Sequence, residues 1–385
     1  MWGVEEVVVI DTVELLKRLV AIDSINPALI PGAAGETTIA HFIADWAEGA
    51  GLEVRIVEPV VGRPSVIAIA RGTGGGKSLI LNAHTDTVGV AGMTDPLVPR
   101  VEGNRLYGRG AYDMKAGLVA AMVTVAAARG RGWRGDLILT AVSDEEHASI
   151  GTAATIEHCH ADAAIVTEPT GLDVSIAHKG FTWLELETHG IAAHGSRPDL
   201  GVDAIAKMGR LLVELERLDQ QLRAGTPHHL LGTGSVHASL IAGGQELSSY
   251  PEGCRLDIER RTIPGETAAI VEGQIRAIID RAAAADPTLR ATLRVGLVRE
   301  PYEIATDAPI VAAVRCHAAA VTGREPAFVS GTGWMDSALL GAAGIPTVIF
   351  GPDGEGAHAV EEWADLDSIE RCAAVLLATA EEFCA

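Results

Sequence analysis

Two histidines and a set of carboxylates, each directly after an apolar run or inside a glycine-rich loop, are the residues of this 385-residue chain whose types could do chemistry together. They are His84 and Asp86 in LILNAHTDT, Asp113 in YGRGAYDMKAG, Glu145 and Glu146 in LTAVSDEEH, Glu168 in AIVTEPT, and His358 in GPDGEGAHAVEEW. Each has an ordinary reading when taken alone. A strand-end histidine is more often hydrogen-bonded than metal-bound, and an adjacent acidic pair is more often a solvated turn. Together, two imidazoles and several carboxylates make the mixed nitrogen and oxygen donor set that suits zinc, cobalt or manganese. The chemistry open to such a set is hydrolysis, with a water activated by metal and a spare carboxylate moving its proton.

Such residues need a scaffold that collects strand ends at one edge, and the periodicities predict one. Apolar spacing predicts helices over 11–22, 36–49 and 116–128, the second closed by Gly51 in a C-terminal cap position. Short β-branched and aliphatic runs predict strands over 52–57, 66–70, 79–83 and 137–142. The expectation is an α/β fold, a sheet with helices on both faces. From 179 to 298 the order changes to strand (181–188), helix (201–218), strand (235–241), strand (254–258), helix (266–284), strand (291–298), which fits a smaller two-layer α+β domain resembling a split βαβ unit. A helix over 310–321, a strand over 346–350 and a helix over 366–383 then resume the first pattern. We therefore expect a catalytic domain of 1–178 and 299–385, interrupted by an inserted domain of 179–298; the length already exceeds what one domain usually holds.

Several classes drop out. The segment Gly72–Ser78 has the look of a phosphate loop, but the spacing requires glycine where Arg71 stands, and Ser78 runs into a strand instead of a helix, so a glycine hairpin turn is expected. Thirty basic against fifty-one acidic residues leave a formal charge of -21, which repels phosphate backbones and anionic lipid, so neither nucleic acid nor membrane is an expected partner. Acids fill the place where a secretory leader carries cations, and a cytoplasmic location is expected. The five cysteines lack CxxC spacing and predict neither disulfides nor a zinc knot. His158 and His160 flank Cys159 but adjacent residues point apart on a helix, so no metal site is expected there.

Ordered motifs running nearly end to end then resemble one family: the zinc aminoacylases and carboxypeptidases that include acetylornithine deacetylase, succinyl-diaminopimelate desuccinylase and glutamate carboxypeptidases. The resemblance rests on HTDTV at 84–88, GRGAYDMKAG at 108–117, DEE at 144–146, EP at 168–169, AHGSRPDLGVDAI at 193–205, RRTIPGE at 260–266 and GIPTVIFGPDGEGAH at 344–358. It implies two divalent ions, zinc foremost with cobalt or manganese as alternatives. His84, Asp113 and Glu168 match the ligands of one ion, and Asp113, Glu146 and His358 those of the other, with Asp113 as the bridge. The resemblance makes Glu145 the general base and Asp86 the acid that accepts the other imidazole N–H of His84. It has His194 reach the substrate carbonyl, in dimeric members often from the other subunit. Arg261 and the loop amides of Gly331, Thr332 and Gly333, with Asp336 beside them, match the group that grips a substrate carboxylate. Tyr112, where many members have a small residue, and Ser249, where asparagine is common, depart from the pattern.

The leading functional expectation is a deacylase that cleaves the amide of an N-acyl amino acid. A metallocarboxypeptidase or dipeptidase acting on short peptides stays open, since the motifs do not separate the two. A non-catalytic binding homologue is the third reading, disfavoured because every candidate ligand and the base are present. The inserted domain resembles the family's dimerisation lid, so a homodimer is expected.

Overall fold

Helix Thr12–Ala21 shows how local chemistry sets an element: the Asp11 carboxylate accepts from the N–H groups of Val13 and Glu14, and Leu15, Leu16, Leu19 and Val20 form the buried stripe behind it. In the computed structural model, residues 11–385 are described; the acidic opening segment, residues 1–10, lies outside them. Two compact units divide the chain. One comprises the described residues up to Ile176 with Ile304–Val329 and Met335–Ala385, and the other Ala177–Glu303 with Ser330–Trp334.

The first unit is built on a mixed sheet whose strands run in the order Glu53–Val57, Ser65–Ala70, Leu137–Val142, Leu79–His84, Ala163–Val166, Thr347–Ile349 and Val174–His178. Leu79–His84 lies parallel to both Leu137–Val142 and Ala163–Val166. Alternation sorts the side chains between two faces. Ile67, Ile69, Ile80, Ile138, Ala164 and Val166 form one core layer with Leu340 and Ile345. Helix Ala116–Ala128 packs on the same strands and on the terminal helix Leu366–Cys384. That helix is apolar almost all round, as a helix enclosed by its neighbours should be. With the turn preceding it, Ala111–Ala128 is long and apolar enough to cross a membrane, yet most of it is buried within the fold.

The glycine segment corrects its expected hairpin. Strands Ser65–Ala70 and Leu79–His84 are not paired to each other, because Leu137–Val142 lies between them, antiparallel to the first and parallel to the second. Residues 71–78 therefore cross over the strand between. The glycines make that crossing possible: a Cβ on Gly72 or Gly76 would stand 2.4 Å from the backbone of Gly135.

A small antiparallel sheet of Gly354–Glu355, Trp363–Asp365, Arg105–Tyr107 and Arg100–Glu102 was not anticipated, since two- and three-residue strands carry too few residues for a periodic signal. It frames the loop that carries His358.

The second unit has a four-stranded antiparallel sheet in the order Ser235–Gly243, Gly253–Thr262, Gly180–His189, Arg290–Arg299. Helices Ala204–Arg223 and Ala268–Ala285 bury Met208, Leu211, Leu215, Val271, Ile275 and Ile278 against Leu184, Leu186, Leu256 and Ile258. The first of these helices begins three residues later than expected because the Asp203 side chain caps it, accepting from the Ala206 N–H.

Candidate metal centre

Parallel strands put their carboxyl ends at one edge, and three adjacent ones here end in the candidate residues. His84 closes Leu79–His84 beside Val142, Glu145 and Glu146 follow Leu137–Val142, and Glu168 follows Ala163–Val166, whose continuation is tied in by Thr167 N–H donating to Asn82 O. Asp113 comes from the turn before helix Ala116–Ala128. Gly117 lets that helix start come close: a Cβ there would lie 1.9 Å from the carbonyl oxygen of Thr167. His358 arrives on the loop between Gly354–Glu355 and Trp363–Asp365, with φ of +61°.

Asp113 sits at the middle of the cluster. Its Oδ1 is 3.2 Å from His84 Nε2 and its Oδ2 is 3.4 Å from His358 Nε2. Each imidazole also faces a second carboxylate: Glu168 Oε1 stands 3.4 Å from His84 Nε2, and Glu146 Oε2 stands 3.0 Å from His358 Nε2. Donor atoms of His84, Asp113 and Glu146 lie within 4.8 Å of one another, as do those of His84, Glu145 and Glu168. The Glu145 and Glu146 side chains diverge because residues 144–149 form a turn that starts at Asp144, φ +69°, and not a regular element.

The electrostatics are those of a site short of positive charge. Burial pushes the Glu145 and Glu168 carboxyls well above the usual carboxylate range, and raises Glu146 too. Asp113 moves the other way, since hydrogen bonds from His358 and His84 outweigh the effect of burial. Contacts with Asp113 and Glu146 push His358 up to about 10. Among the described residues no lysine or arginine pairs with these four acids; imidazoles face Asp113, Glu146 and Glu168. Buried and half-buried carboxylates crowded together without a lysine or arginine, with imidazole nitrogens turned toward them, are a donor set that divalent ions fit.

Asp86 differs from its expected role. The Nδ1–H of His84 goes to the main-chain oxygen of Asp86 at 2.9 Å, while the nearer carboxylate oxygen is 3.7 Å away. The carboxylate is occupied instead by the amide N–H groups of Glu145 and Glu146, at 3.1 and 3.2 Å. The ring is still fixed with Nε2 inward, but through backbone.

Support residues that sequence reasoning missed surround the cluster. The buried Glu362 carboxylate accepts from Arg109 at 2.6 Å and from the N–H groups of Gly110, Tyr112 and Asp113, each at 3.0 Å, so it sets the backbone that presents Asp113. Asn26, Arg63 and Glu36 form a buried group behind Asp86 and Asp144. Glu362 lies in the AVEEW stretch next to His358, which was its only signal; nothing local marked the others. Asp336 also departs from expectation. It is buried and accepts from Thr152 Oγ1 at 2.6 Å, and burial pushes its carboxyl up to about 6. A carboxylate so enclosed is not part of an open loop.

The remaining predicted residues belong to the second unit. His194 is exposed, its Nδ1 accepting from the Ser196 N–H at 3.2 Å, so in the neutral ring Nε2 carries the proton. Arg261 packs over the Phe181 ring and pairs with Glu259 at 2.9 Å. Gly331 accepts from the Lys179 N–H at 3.3 Å, and Thr332 and Gly333 are exposed.

The fold and its donor set define a metal-dependent hydrolase of linear amide bonds. Residues 80–382 match the sequence profile of peptidase family M20/M25/M40, and the chain belongs to that family. It is 31% identical to an acetylornithine deacetylase of Myxococcus xanthus, with 96% of each chain covered. It is 28% identical to an N-formyl-4-amino-5-aminomethyl-2-methylpyrimidine deformylase of Bacillus subtilis (strain 168), covering 95% of this chain and 93% of the relative. Its fold is similar to that of a dinuclear metal binding peptidase of the M20 family from Bacillus subtilis, with a TM-score of 0.74 at 17% identity over 97% and 98% of the two chains.

Proposed function

We propose that this protein is a two-metal deacylase that hydrolyses the amide of a small N-acyl amino acid. The observation that carries this reading is Asp113, whose two carboxylate oxygens face different imidazoles, each imidazole facing a further carboxylate. His84, Asp113 and Glu168 would hold one ion, and Asp113, Glu146 and His358 the other. Zinc suits this donor set, with cobalt or manganese as substitutes. When bound, such a pair polarises the scissile carbonyl and acidifies water.

The chain's own residues would do the rest. The Glu145 carboxylate, engaged by no hydrogen bond among the described residues, takes the proton from the attacking water and returns it to the leaving nitrogen. Asp86 and the turn at Asp144 keep the Glu145 and Glu146 backbone in place. His194 offers an Nε2–H suited to a developing oxyanion, and Arg261 with the Gly331, Thr332 and Gly333 amides takes the substrate carboxylate. The second unit serves as lid and dimerisation domain, the working form being a homodimer without nucleic-acid or membrane partners. The five unpaired cysteines accord with a reducing, cytoplasmic compartment.

Deacylation is preferred to dipeptide cleavage because the relatives matched along nearly the whole sequence remove acetyl and formyl groups, by their names. The test is metal content together with hydrolysis of N-acetyl, N-formyl and N-succinyl amino acids and dipeptides. Glu145→Gln is expected to keep its metal and lose about 10²–10⁴ in kcat, the usual contribution of a general base. A dipeptide turned over in preference to every acyl amino acid overturns the deacylase reading, and an unimpaired Glu145→Gln removes Glu145 as base.

A further inference from the structure

Arg63 is buried just before strand Ser65–Ala70 and reaches further than its obvious partner. Its guanidinium forks the buried Glu36 carboxylate at 2.5 and 2.6 Å, and the same Nη2 donates to Asp144 Oδ1 at 2.8 Å and to Asn26 Oδ1 at 3.1 Å. That last bond orients the Asn26 amide. Its Nδ2 can then donate to Asp144 Oδ1 at 3.0 Å and to Asp86 Oδ2 at 2.8 Å. Asp86 in turn holds the N–H groups of Glu145 and Glu146. A continuous hydrogen-bonded path thus runs from Arg63 to the backbone of the acid pair.

The path ends on a conformation that needs holding. Asp144 has φ of +69°, a left-handed backbone disfavoured for a residue with a Cβ, and its carbonyl oxygen accepts from the Ala148 and Ser149 N–H groups. That turn separates Glu146, which faces His358, from Glu145, which lies with His84 and Glu168. Glu36, Asp144 and Asp86 are all buried, and Arg63 is the cation that touches two of them.

We propose that Arg63, acting through Asn26 and Asp144, is a positioning residue that sets the divergence of Glu145 and Glu146; this rests on the two-metal reading above. A purely structural Arg63 would only tie Glu36, at the start of helix Thr37–Gly49, to the sheet. Arg63→Lys keeps charge but loses the Nη2 bonds to Asp144 and Asn26, Asn26→Leu cuts the path while sparing the Arg63–Glu36 pair, and Glu36→Gln weakens only the structural pair. Zinc binding is measured by competition with a chromophoric chelator, alongside kcat, KM and the melting temperature of the metal-free protein.

In Arg63→Lys and Asn26→Leu one zinc equivalent is expected to weaken by about 10–100-fold while the other stays within about 3-fold, the range typical when a ligand's supporting partner is lost. kcat falls with KM nearly unchanged, the double variant is no worse than the worse single, and Glu36→Gln shifts the melting temperature alone. Both equivalents unchanged in Asn26→Leu, or all three variants alike, overturns the proposal. Wild-type protein that binds fewer than two ions overturns the functional reading itself, whereas two tight ions retained in every variant overturns this inference only.

Discussion

His84 and His228 both turn Nε2 toward a carboxylate, at 3.2 Å from Asp113 in one case and 3.1 Å from Glu303 in the other. His228 even has a second ring beside it, His229, and donor atoms of these three residues lie as close together as those of the centre. The difference is at the far side of each ring. His84 Nδ1 faces a backbone oxygen and must carry hydrogen, so in the neutral ring Nε2 keeps the lone pair a metal needs. His228 Nδ1 accepts from the N–H groups of Leu230 and Leu231, at 3.3 and 3.2 Å, so its Nε2 carries hydrogen and donates to Glu303. The first ring presents a lone pair suited to a cation and the second a hydrogen that tethers a carboxylate, and the backbone behind the ring decides which.

The comparison can be broken most severely at Asp113. Asp113→Ala is expected to abolish uptake of both ions, measured as bound zinc per chain, and to reduce hydrolysis to background; retention of one tight ion would show that the cluster is two independent sites. Next in size is Glu362→Leu, which leaves three backbone N–H groups and Arg109 without their acceptor. A buried pair broken on one side costs about 3–5 kcal/mol, to be read from urea unfolding of metal-free protein. A loss below about 1 kcal/mol would mean that the turn at Asp113 is held by other contacts. Smallest is His228→Ala, expected to cost about 1 kcal/mol or less and to leave zinc stoichiometry unchanged. A bound ion lost with His228 would erase the distinction drawn from ring tautomers.

Sequence alone resolved most of the longer helices and strands, though not strand Val174–His178 or helix Ile150–Ile156, and it singled out the candidate donor residues because each follows a strand or sits in a glycine loop. It failed where the deciding contact is remote. Arg109 and Glu362 are 253 positions apart, and Arg63 and Asp144 are 81 apart, so no local pattern announces either pair. It also failed on atoms within a candidate residue: Asp86 meets the His84 ring through its carbonyl, a group every residue possesses, while its carboxylate serves the next strand's loop. The crossover at 71–78 was misread as a hairpin because glycine spacing reports chain flexibility and not strand order.

Gly117 carries a consequence for how such a chain can vary. It bears no functional group, yet the carbonyl of Thr167 occupies the space any side chain would need. Even a methyl group would wedge the helix that follows Asp113 away from the strand that delivers Glu168, parting two halves of the donor set without altering a donor. Among viable descendants of this sequence, the position is therefore closed to drift as firmly as the acids themselves, and an inactive homologue could arise there with every chemical residue intact.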